Sequence, residues 1–130
     1  SDQAGATWIQ MDSNGKIDIY AGSDISMHTG ANFNIHCQEA FNVEADSINL
    51  KARGEDGIKI ESSTGEFNLH SNKDMKLTCD LNGNIKCGGF LRQTASIIDL
   101  NGPEATAATK AEPKRQISIS QTFINPPEPK

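Results

Sequence analysis

The chain has 130 residues, with 17 Asp and Glu against 12 Lys and Arg and a formal net charge of −5. That balance excludes the basic face of a nucleic-acid binder, and no run of ~18 apolar residues offers a membrane-spanning helix. Hydrophobic residues are only 35% and aromatics 5%, too few for an ordinary compact core unless they are placed with unusual regularity.

The placement is regular. From the N-terminus, an apolar-x-apolar unit recurs as Ile9-Gln10-Met11, Ile17-Asp18-Ile19, Ile25-Ser26-Met27, Phe33-Asn34-Ile35 and Phe41-Asn42-Val43, each beginning eight residues after the last. The series continues less strictly as Ile48-Asn49-Leu50, Ile58-Lys59-Ile60, Phe67-Asn68-Leu69, Met75-Lys76-Leu77, Ile85-Lys86-Cys87 and Ile98-Asp99-Leu100. Residues two apart share one face of a strand, and the polar middle residue faces the other way. Each unit is therefore a short strand with one buried face. The predicted core of the shaft is the set of apolar members from Ile9 through Cys87.

Turn-forming residues fill the gaps: Ser13-Asn14-Gly15, Gly22-Ser23-Asp24, Gly30-Ala31-Asn32, Gly54 to Gly57 and Asn82-Gly83-Asn84. Two residues past the second apolar member the chain carries Ser13, Ala21, Thr29, Cys37, Ala45, Ala52, Ser62, Ser71 and Cys79, all small. They keep the same parity, so they suit a narrow interior or a crowded corner. No segment has a 3.6-residue period, and no helix is expected before Gly102.

Residues 1–8 read as a lead-in segment and 9–102 as a β-helical shaft. Residues 103–130 read as a linker and tail, with Gln116 to Gln121 as one further strand and Asn125 to Lys130 extended or frayed. Ser1 to Gly5 lack the basic and apolar regions of a signal peptide, and the segment is expected to come from a longer chain. Three cysteines, an odd number, argue against an intrachain disulfide framework and for reduced thiols in a cytoplasm.

A strand of three to five residues with one apolar face is not stable alone. Two arrangements cover it. One chain can coil with three units per turn, or three chains can wind together, each giving one side of a triangular prism.

The run from Lys16 to His36, preceded by Gly5 to Asp12, resembles the C-terminal β-helix of contractile-tail spikes. These are the tail-associated lysozyme spike of T-even-type phages and the valine-glycine repeat spike of type VI secretion. The resemblance covers about Gly5 to Gly102. It implies an all-β, octad-repeat β-helix, an intertwined parallel homotrimer that pierces membranes as a structural spike. Its implied partners are upstream hub and tail proteins, a conical tip protein and the host outer envelope. It implies a place at the virion or secretion-machine tip after assembly in the bacterial cytoplasm. In that family the enzymatic work belongs to upstream domains. The alternatives are a single-chain solenoid serving as an adhesin or carbohydrate-binding stalk, and a polysaccharide-cleaving tail fibre.

No catalytic, cofactor or metal site is expected. His28, His36 and His70 each follow the second apolar residue of a unit and face outward, without the His-x-His motif of related short spikes. The carboxylates are scattered, with no pair marked for glycoside hydrolysis. Trp8 and Tyr20 are the residues that suit a sugar platform. Asp56-Gly57 and Asp80 to Asn84 lack the full spacing of a calcium loop and read as Asx-rich turns.

Overall fold

The structure is a computed structural model that describes residues 6–114. The alternating run at Gln116 to Gln121, the segment Asn125 to Lys130 and the first five residues lie outside the described residues. The described residues fall into two units, residues 6–46 with Lys114, and Ser47–Pro113.

The first unit opens with a hairpin. Strand β1 (Trp8–Met11) pairs antiparallel with β2 (Ile17–Tyr20), in the register Trp8 to Tyr20, Ile9 to Ile19, Gln10 to Asp18 and Met11 to Ile17. Its loop is set by Asp12. The Asp12 carboxylate accepts the amides of Asn14 and Lys16, both at 2.9 Å. The Asp12 carbonyl accepts the Gly15 amide at 3.3 Å, and the Asp12 amide donates to the Lys16 carbonyl at 3.1 Å. Gly15 takes φ 85°, the left-handed position that ends a three-residue hairpin loop. The octad spacing gives these two units the same winding role as the later ones; instead they pair with each other, because Asp12 and Gly15 close the chain on itself.

Past Tyr20 no further strand is assigned among the described residues, and the first unit is a succession of irregular arms and bends. Bends fall at Gly22-Ser23, Gly30-Ala31, Gln38-Glu39 and Asp46. In the second unit they fall at Gly54 to Asp56, Ser63 to Gly65, Asn72-Lys73, Asp80-Leu81, Gly88-Gly89 and Ser96. The eight-residue spacing of bends therefore holds from Gly22 to Gly54 and again from Asn72 to Ser96. The later set repeats the earlier one fifty residues on, Asn72 answering Gly22 and Ser96 answering Asp46. Only the stretch from Gly54 to Asn72 departs from the period.

The bends put the later arms into phase with the earlier ones. Gly83, Ile85 and Cys87 follow the Asp80 bend as Phe33, Ile35 and Cys37 follow the Gly30 bend. Leu91, Gln93 and Ala95 follow the Gly88 bend as Phe41, Val43 and Ala45 follow the Gln38 bend. Cys87 thus occupies the small position beside a bend, like Cys37 and Cys79, with the same parity as the apolar pair before it.

Candidate functional site

The candidate site is a surface rather than a pocket. It consists of the apolar face of the arms and the backbone edges on either side of it. The apolar residues stand two apart in the sequence, and the bends repeat that spacing along the chain.

In the hairpin, the register places Ile9, Met11, Ile17 and Ile19 on one face and Trp8, Gln10, Asp18 and Tyr20 on the other. Trp8 and Tyr20 stack on each other, ring centroids 5.7 Å apart and planes at 25°. Lys16 Nζ lies 3.4 Å from Asp18 Oδ2 on the exposed surface, an ion pair of little energetic weight.

No residue of the apolar face is buried by its own chain. Exposure runs from 53% at Ile25 and Phe67 to 83% at Leu77, with Phe33, Ile35, Phe41, Val43, Ile48, Leu50, Ile58, Ile60, Leu69, Met75 and Ile85 between them. Cys37, Cys79 and Cys87 are unbridged and exposed. The chain exposes 14193 Å². A compact monomer of this mass would expose about 6,700 Å², and the extended chain about 20,000 Å².

The backbone is equally open. Between described residues from Ala21 onward, one backbone–backbone hydrogen bond forms, from the Gly57 amide to the Gly54 carbonyl at 3.2 Å. Folded domains make about one hydrogen bond per residue, most of them between backbone groups. Most backbone groups of the arms therefore form no backbone–backbone bond with other described residues, which leaves them available to a strand of another chain.

The small residues beside the bends have a second task that the spacing alone did not reveal. Thr29 Oγ1 accepts the Ala31 amide at 3.1 Å. Ser62 Oγ donates to the Gly65 carbonyl at 3.1 Å. Ser71 Oγ accepts the Lys73 amide and donates to the Asp74 carbonyl, both at 3.3 Å. The hydroxyls close the bends locally. At Thr29 and Ser71 the signal was present as a hydroxyl residue two before a bend amide. Where the position is Cys79, the exposed thiol lies near Gly83: a Cβ added there would stand 3.4 Å from Cys79 Sγ.

The histidines stay apart. His70 Nε2 pairs with Asn72 Oδ1 at 2.9 Å, and His28 borders a shallow hollow with Asp24, Met27 and Lys114. Among the described residues no three His, Cys, Asp or Glu side chains gather as a metal would require. No helix among them is long and apolar enough to cross a membrane.

No protein-family model, no curated protein and no solved structure matches this chain.

Proposed function

We propose that this chain is the shaft of a membrane-piercing spike at the tip of a contractile tail, built as an intertwined parallel homotrimer with no active site of its own. What carries the reading is one combination: bends at eight-residue spacing, an apolar face on every arm, and strand edges that the single chain leaves uncovered.

Six extended residues between bends span ~20 Å, one side of a triangular prism. An arm that exposes its apolar side chains and its backbone groups has no reason to hold its shape in water alone. Two further copies supply what is missing: their arms pair with its edges, and the three apolar faces meet on a common axis. Each Ile, Leu, Phe or Met so covered contributes about 1–2 kcal/mol from its exposed fraction, on the order of 20 kcal/mol per chain. A single-chain solenoid would instead pair its own successive arms, and the described residues past Tyr20 form no such ladder. Trp8 and Tyr20 each spend a ring face on the other, which leaves less of either for a sugar.

A prism of this kind is stiff because every strand is paired on both sides and every apolar face is covered. Such a rod transmits force along its axis without bending, which suits a tip driven through an envelope. Upstream hub proteins would deliver that force, and a conical tip protein would complete the point. Antibody labelling of contractile tails from the source organism, viewed by electron microscopy, tests the assignment. Label at the distal end of the tube is expected. Label on the lateral fibres, or on none of the tails, would overturn it.

A further inference from the structure

Past Leu100 the chain reverses. Asn101 takes φ 67° and Gly102 φ 128°; asparagine tolerates the first, and the second suits glycine. Residues 104–113 then run without helix, strand or bend and, inside the second unit, return to the arm that begins at Met75. The Ala108 amide donates to Thr78 Oγ1 at 2.8 Å, across thirty residues of sequence. Ala105 and Thr106 border a hollow on one side of this contact with Asp74 and Leu77. On the other side, Ala108 borders a hollow of about 590 Å³ with Leu77, Cys79, Gly83 and Ile85. Ala108 and Ala111 are half-buried in a chain that is otherwise almost wholly exposed.

The sequence is adapted to this contact on both partners. The position after the second apolar residue holds a larger side chain in most other arms, as at His28, His36, Glu44, Lys51, Glu61 and His70, and a second threonine at Thr94. At the contact it holds Thr78, whose short hydroxyl lets a passing backbone approach to about 5 Å, the spacing of neighbouring strands. The passing segment is Ala105-Thr106-Ala107-Ala108-Thr109, with no side chain large enough to hold it off. The arms just beyond the contact are the poorest in apolar residues, with Gly83 and Gln93 where other arms carry Ile, Phe, Val or Leu.

We propose that residues 103–113 form a strap that crosses the C-terminal arms of the shaft and holds that end together. Gly102 sets its reversal, and the Thr78–Ala108 bond pins it. In the proposed shaft the arms from Gly83 to Ala95 would bury the least apolar surface and so would open first; the strap, which borders a hollow with Gly83 and Ile85, offsets that weakness. The proposal rests on the shaft reading of the arms, and its test separates the two.

The experiment is hydrogen exchange by mass spectrometry on the full chain, on Thr78→Val and on Gly102→Ala, with the solution mass of each measured alongside. Thr78→Val keeps the shape and removes the acceptor. Loss of one such bond should speed exchange of amides 105–111 and 83–100 about three- to tenfold, while amides 25–50 keep their rates. Gly102→Ala should do the same by disturbing the reversal itself. Unchanged exchange across 83–100 in both variants would overturn the strap. A monomeric mass for the unaltered chain would overturn the shaft reading instead; the Ala108 amide, bonded to Thr78 within one chain, would then decide the strap by its exchange in Thr78→Val.

Discussion

Replacing Ile35 by Lys should prevent assembly, whereas replacing its neighbour Asn34 by Lys should be nearly silent. The proposed prism puts the two residues on opposite faces of one arm. Ile35 is 54% exposed in the single chain, so covering it in the trimer contributes about 0.8–1.6 kcal/mol per copy. The substitution loses that at three places on one level of the axis. It also brings three ammonium groups together without a partner. An unpaired buried charge costs several kcal/mol even after relaxation, so the three together should cost roughly 10 kcal/mol or more. That is comparable to the whole stability of a typical domain, about 5–15 kcal/mol. Lys at position 34 points to water and should change stability by about 0.5 kcal/mol or less. Size-exclusion chromatography with light scattering, together with thermal melts by circular dichroism, reads both outcomes. Equal assembly and equal melting of the two variants would refute the face assignment and the prism built on it.

Gly15→Ala places a side chain at φ 85° and should destabilise the hairpin by about 1 kcal/mol, seen as faster amide exchange across Trp8–Tyr20 with the later arms unaffected. Ser71→Ala removes both of its bend hydrogen bonds and should lower stability by about 1–2 kcal/mol per chain, read as a lower melting temperature at unchanged mass. Cys37, Cys79 and Cys87, exposed in the single chain, should be shielded in the assembly, so a thiol reagent should react fully only after denaturation; rapid reaction of the native protein would place them outside. A chelator should leave melting temperature and mass unaltered, and a clear drop would reveal a structural metal, which contributes folding energy directly.

The repeat was legible in the sequence because alternation and turn residues both write it, and the arms from Ile25 to Val43 carry both without interruption. The later phase was harder to read. Gly83 and Gln93 stand where the pattern expects apolar residues, so side chains alone lose the count that the backbone bends at Asp80 and Gly88 keep. The same interruption hides that Cys87, read as the second member of an apolar pair, also stands beside the Gly88 bend with that same parity. The hairpin was hidden because Ile9-Gln10-Met11 and Ile17-Asp18-Ile19 fit the octad as well as any later unit. The distinguishing signal was local: an Asp whose carboxylate reaches the amides of Asn14 and Lys16, followed by a glycine at the left-handed position. The return of residues 104–113 left no periodic trace, because its fit depends on smallness and on one hydroxyl thirty residues away.

The central claim is that two further copies complete the edges and the apolar face that one chain leaves open. Multi-angle light scattering on the purified chain at micromolar concentration tests it most directly. Three copies of a 14.0 kDa chain predict a single species of about 42 kDa whose strand signal in circular dichroism appears only with that mass. A well-folded, monodisperse species at 14.0 kDa would contradict it.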